Sequence, residues 1–114
     1  MEKIAPEFKD VNELNQIMLI AVLTIVFWIW TPLIAFFAFK DTLSPAGNDV
    51  VKALLNFEIL ITIGVIISGA VPFLGWFVSL PVFTILHYII TIIATINILN
   101  KTEINIWAPI KFLK

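Results

Sequence analysis

The 114-residue chain has no cysteine and no arginine, and holds a single histidine, a single tyrosine and only three serines. Without cysteine there is neither a disulfide framework nor a thiolate metal site. One imidazole falls short of the roughly three side-chain ligands a zinc site needs, so no metal or other cofactor is expected. A Ser-His-acid arrangement would need His87 to meet Ser68 or Ser79 with a carboxylate behind it, and nothing in the spacing provides that. With so few convergent titratable groups the chain does not read as an enzyme. Charge is scarce as well: seven lysines scattered among eight acids leave a net charge of −1. No basic stripe exists to neutralise phosphates, which excludes nucleic acid as a partner.

What the chain has in excess is hydrocarbon. It is 61% apolar and 13% charged, with a mean hydropathy of +1.04, against about 45–50% and about 25% in ordinary soluble domains. A soluble protein this short could not cover so much Ile, Leu, Val and Phe, and lipid removes the need. The fold class read from this is an all-α integral membrane bundle, a single domain with lipid as its surroundings. The acidic lead-in of Glu2, Glu7, Asp10 and Glu13 does not suit a cleavable signal peptide, so the first apolar run is expected to stay in the mature protein.

Three transmembrane helices are expected. From Leu14 to Phe39 no residue is charged, a run long enough for a first span over 15–39. Pro32 falls inside it as a hinge candidate, with a kink or break expected near Trp30-Thr31-Pro32. Trp28 and Trp30, unusual near mid-span, are expected to pack on a neighbouring helix, with a functional break as the alternative. A loop over 40–48 follows, and a helix is expected to restart at Asn48 or Asp49. From Ile59 to Asn100 there is no formal charge except the titratable His87, too long a run for one span and enough for two. Gly69 to Trp76, with Pro72 and Gly75 as hinge candidates, is the preferred turn over Pro81, giving spans over 49–70 and 75–100. Phe8, Val11 and Leu14 recur every three residues after Pro6, which suggests a short interfacial helix within 1–14. The tail 101–114 is expected to lie on the membrane surface with Trp107 at headgroup depth.

Two groups of residues are singled out. Glu58 and His87 are the ionisable residues nearest the membrane interior, where a functional role is the default hypothesis. Counted from a turn at Phe73, they sit at nearly one depth on antiparallel helices, with Tyr88 beside them, and could share a proton. The alternative taken first is that Glu58, about 9 Å beyond Lys52, reaches headgroup water. The second group is a stripe of Thr84, His87, Thr91 and Thr95 at three- and four-residue spacing, together with the small pair Gly64 and Ser68. Helix packing, with hydroxyls bonded to backbone carbonyls, is the expectation, and the lining of an oligomeric pore is the sharper alternative.

The segment Asp49-Val50-Val51-Lys52-Ala53-Leu54-Leu55-Asn56-Phe57-Glu58 resembles a signature of small bacterial membrane proteins related to the twenty-kilodalton subunit of the chloroplast inner-envelope import translocon. The run from Pro32-Leu33-Ile34 to Lys40-Asp41 and the tail Trp107-Ala108-Pro109-Ile110-Lys111-Phe112-Leu113 are similar to it as well. Leu54 stands where that family usually has Ala, and Glu58 where it has Gln. The resemblance implies an inner-membrane helical bundle of bacterial origin and names no activity.

The functional expectation is a non-enzymatic membrane protein that packs against other membrane proteins or further copies of itself, as a subunit or accessory factor of a larger assembly. An oligomeric pore or translocation component and a small proton-coupled transporter are the alternatives. Three spans and the lysine distribution orient the N-terminus outside and the C-terminus in the cytoplasm.

Overall fold

A computed structural model of the protein describes residues 2–4, 7–39 and 41–106. The described chain is helical apart from one short ribbon. Strand β1 (Glu2–Ile4) leads to α1 (Val11–Phe27), α2 (Trp30–Phe39), α3 (Pro45–Ala70), a single π turn (Gly75–Ser79) continuous with α4 (Leu80–Leu99), and β2 (Ile104–Ile106). The strands β1 and β2 pair antiparallel, with Ile4 opposite Ile104 and Glu2 opposite Ile106.

The first apolar run does not make one continuous helix. Asp10 caps α1, its carboxylate accepting the Glu13 amide at 2.8 Å, and the helix runs 17 residues to Phe27. There the chain breaks at Trp28, whose φ is 58°. The cause lies four residues on. Pro32 has no amide to offer the Trp28 carbonyl, and its ring would strike that carbonyl in a continuous helix. The break therefore falls upstream of Trp30-Thr31-Pro32, and Pro32 itself sits buried in the first turn of α2, where a missing N–H leaves nothing unpaired.

After the break the chain folds back. The Ser44 amide donates to Glu13 Oε2 at 2.7 Å, the Ser44 hydroxyl donates to Glu13 Oε1, and Lys9 Nζ donates to the Thr42 carbonyl. These bonds bring the segment after α2 to the start of α1, so α1 and α2 form a helical hairpin. At about 25 Å and about 15 Å neither arm matches a hydrocarbon core of about 30 Å. Two stretches remain that are long and apolar enough to cross a membrane, Pro45–Ala70 and Gly75–Leu99.

Helix α3 begins at Pro45, earlier than the expected Asn48 or Asp49. Ser44 is its N-cap, accepting the Gly47 amide at 3.3 Å, and Pro45 takes the first position. The same Ser-Pro that reads as loop chemistry also starts a helix. Burial along α3 shows what surrounds it. From Val50 to Glu58 every residue but Lys52 is buried, enclosed by α1, α2, α4 and the ribbon. Farther along, only Ile61, Gly64 and Ser68 are buried, a single stripe against α4. The α1–α2 hairpin thus covers one half of the α3–α4 pair and leaves the other half bare, with Ile66, Ile67, Phe73, Trp76 and Phe77 exposed.

The second hairpin turns over residues 71–74. Phe73 adopts φ 61°, and the Leu74 amide donates to the Pro72 carbonyl at 2.8 Å. Gly75 passes so close to α3 that a Cβ there would stand 1.9 Å from the Ser68 carbonyl oxygen. Pro81 lies inside the following helix. The π turn before it, closed by the Leu80 amide on the Gly75 carbonyl, widens the helix one turn ahead of the proline, where its ring would otherwise strike a carbonyl.

The ends of the chain differ from the sequence expectation. Among the described residues no helix precedes Val11; residues 2–4 are a strand, and Ile4, Ile104 and Ile106 bury their side chains in the core. The alternation Ile104-Asn105-Ile106 has the period of a half-buried strand. The place expected for Trp107 and the rest of the tail lies outside the described residues. Pairing of β1 with β2 also sets the two ends of the described chain side by side. Two hairpins return the described chain to where it started.

Candidate functional site

The break in the first hairpin meets the only buried ionisable pair among the described residues. Glu58 on α3 and His87 on α4 are both wholly buried, with His87 Nδ1 2.6 Å from Glu58 Oε1. The Glu58 carboxylate does not turn toward water. Its helix is enclosed on all sides at this level, which leaves the side chain no outward path. On the far side of the ring, His87 Nε2 lies 3.2 Å from the Ile25 carbonyl, in the last turn of α1. Trp28 lies flat on the imidazole, with ring centroids 3.6 Å apart and planes 3° from parallel. Tyr88 meets both rings edge-on. Beyond their contact with each other, neither the Glu58 carboxylate oxygens nor His87 Nδ1 has a hydrogen-bond partner among the described residues.

Each element supplies one wall. The positive φ of Trp28 turns its indole out of the helix path and onto His87, so the break produced by Pro32 is what builds the site. Trp28 packs on a neighbouring helix while Trp30 does not, being 65% exposed. In lipid this matters energetically. Acyl chains are as apolar as leucine, so van der Waals packing and buried polar contacts hold helices together in place of the water-driven effect.

The remaining singled-out residues fall into place around this centre. Thr91 is fully buried, and its hydroxyl donates to the His87 carbonyl at 2.7 Å. Thr84 and Thr95 donate to the carbonyls of Leu80 and Thr91 at 2.9 and 2.8 Å. The stripe thus spends its hydroxyls on its own helix and faces the interior of one protomer at His87 and Thr91. Gly64 receives the Phe83 ring in place of another backbone, and Ser68 offers its carbonyl to the bare backbone of Gly75. Pro72 lies in the turn and Gly75 opens the π turn beyond it.

Two features carry little signal in the sequence. Glu13 is buried and collects the Ser44 amide, the Ser44 hydroxyl and, at 3.2 Å, the Lys9 amide. As one acid among four in the lead-in it looks like an ordinary surface residue; only its place three residues after Asp10 hints at a helix start. The second is an apolar groove of about 570 Å³ between α1 and α2, walled by Leu19, Leu23, Ile34 and Ala35, with Gln16 and Thr31 as its polar side chains. Among the described residues no cluster of three or more metal-binding side chains occurs. The pair can hold and exchange a proton, and that is its available chemistry.

Comparison with curated proteins and with solved structures finds no match. A family model does match, over residues 12–113, and its description is the magnetosome magnetite crystal formation protein family. This overturns the likeness to the chloroplast import translocon subunit drawn from Asp49 to Glu58 and the tail, because the match runs through both segments and assigns them elsewhere. Two membrane-length helices agree with a membrane protein. Matched along nearly its whole length, the chain belongs to the MamF/MmsF family of magnetosome magnetite crystal formation proteins.

Proposed function

We propose that the chain is a non-enzymatic accessory factor of magnetite crystal formation, embedded in the magnetosome membrane and working through contacts with lipid and other membrane proteins. The family match over residues 12–113 carries this reading. The geometry supports a membrane-shaping or scaffolding role over a catalytic one: the one buried ionisable pair among the described residues is closed in by an indole and two helices. Cells of a magnetite-forming bacterium lacking the chain are expected to make smaller or fewer crystals by electron microscopy, with recovery on re-expression. Crystals unchanged in size and number would refute the role.

The topology proposed with it is two crossings, α3 and α4, and a half-depth α1–α2 hairpin. Charged residues of the described chain other than Glu58 lie near the ribbon end, at the starts of α1 and α3 and beyond α4, while residues 28–29 and 71–74 carry none. Lysines favour the cytoplasm, which places the ribbon end there. Since the chain has no cysteine, single cysteines report cleanly. Glu7→Cys, Thr42→Cys and Glu103→Cys should react with a membrane-impermeant maleimide from one side and Phe73→Cys from the other. Three spans would instead put Glu7→Cys with Phe73→Cys.

A further inference from the structure

We propose that Glu58 and His87 form a membrane-embedded binding site for one proton, and that this proton latches the tip of the α1–α2 hairpin to the α3–α4 pair. The argument is a count of donors. His87 Nε2 faces a carbonyl, which only accepts, so Nε2 must carry a hydrogen to bond Ile25. His87 Nδ1 stands 2.6 Å from Glu58 Oε1, a separation that requires one hydrogen between them. The two contacts together therefore hold two hydrogens. Whether the second is drawn on the imidazole or on the carboxylate, the pair as a whole is neutral, which suits a site removed from water.

Remove one proton and one contact must fail. With the hydrogen left on Nε2, the Nδ1 lone pair faces a carboxylate. With it moved to Nδ1, the Nε2 lone pair faces the Ile25 carbonyl. The second arrangement satisfies the carboxylate and releases α1, because the Ile25 contact and the stacked Trp28 next to it belong to the hairpin tip. Glu58 Oε2 is buried and finds no other donor among the described residues to compensate a full negative charge. The groups facing the imidazole are few. Helix α3 presents Glu58, α4 presents Tyr88, and at this level neither α1 nor α2 presents a titratable side chain, Glu13 lying in the first turn of α1. Among the described residues no neighbouring ion can take over the role.

The physiological source of the proton rests on the proposed function. Making an iron oxide takes oxygen from water and leaves its hydrogens behind as protons, so mineral growth acidifies its surroundings. A latch that closes on proton binding would couple the shape of this protein to that acidification.

His87 is the sole histidine, so selective ¹⁵N-histidine labelling of the full chain in lipid nanodiscs reports one ring. As the pH is raised over the range in which the protein stays folded, the Nδ1 signal should lose its shared proton in one single-site step. Labelling of Ile29→Cys at the half-depth hairpin tip by a lipid-soluble maleimide, normalised to Phe73→Cys treated with the same reagent, should accelerate through the same step. The expected factor is about ten to a hundred, the equivalent of about 1.5–3 kcal/mol for a charge-assisted hydrogen bond. Glu58→Gln should abolish the coupling, leaving the tip labelled at one rate throughout. A ring that keeps one tautomer over the whole range, or a labelling rate blind to the step, overturns the latch. Neither readout involves mineral, so a failed titration leaves the crystal-formation role standing, and a null crystal phenotype leaves the latch standing.

Discussion

His87→Ala is expected to lower the stability of the protein by about 3–5 kcal/mol, the range found when one member of a buried ion pair is deleted and the other is stranded. Truncation at this position removes three things at once. Glu58 loses the only polar side chain within bonding distance among the described residues, the Ile25 carbonyl loses its contact, and Trp28 loses the ring it lies on. Of these the stranded carboxylate dominates, since a stacked aromatic pair contributes about 0.5–1.5 kcal/mol. The contrast that isolates it is the double variant Glu58→Leu with His87→Leu. Two apolar side chains of similar bulk need no partners, and replacing a buried pair in this way is often neutral or stabilising. The double variant should therefore be more stable than His87→Ala, although it changes more atoms. Denaturation in mixed micelles, followed by the far-UV helical signal, gives both numbers. If the double variant unfolds as readily as the single one, the pair is not what makes the site fragile.

This pair also shows where the sequence stops being informative. Counting residues from a turn at Phe73 puts Glu58 and His87 at one depth. Nothing in the count decides whether the carboxylate turns inward or reaches toward water, because that depends on what encloses α3. The enclosing element is the α1–α2 hairpin, and its existence is hidden. A stretch of 26 uncharged residues from Leu14 to Phe39 satisfies the length criterion for one crossing. The signal against it is Pro32 acting on the Trp28 carbonyl, and a proline kink and a full reversal look the same in sequence. The reversal is fixed by tertiary contacts from Glu13 and Lys9 to residues 42–44, which no local pattern announces. By contrast, the second apolar run is legible as two helices. It is too long for one crossing, and two glycines with a proline gather where it bends. The strands fail for a further reason: three-residue segments give too short an alternation to distinguish from an interfacial turn of helix.

Gly75→Ala is the second substitution with a large expected effect, and glycine itself supplies the controls. At Gly75 the new Cβ would sit 1.9 Å from the Ser68 carbonyl oxygen, 2.8 Å from its carbon and 3.1 Å from Val71 Cβ. The first two atoms are backbone of α3 and cannot rotate away, so the turn over residues 71–74 must open or α4 must shift along α3. We expect a loss at or beyond the upper end of the about 1–3 kcal/mol typical of overpacking. Gly64→Ala meets ring atoms of Phe83 at 2.5 to 2.8 Å, but a ring end can swing, so its loss should be smaller. Gly69→Ala meets nothing within 4 Å and removes a poor helix former, with an expected change between zero and a gain of about 1 kcal/mol. The order Gly75, Gly64, Gly69 from most to least harmful follows from what each Cβ would strike, whereas helix propensity alone favours alanine at all three helical positions. Unfolding midpoints of the three variants in one detergent mixture distinguish the two. Equal midpoints for Gly75→Ala and Gly69→Ala would mean that the π turn does not press its backbone on Ser68, and the close seam between α3 and α4 would have to be redrawn.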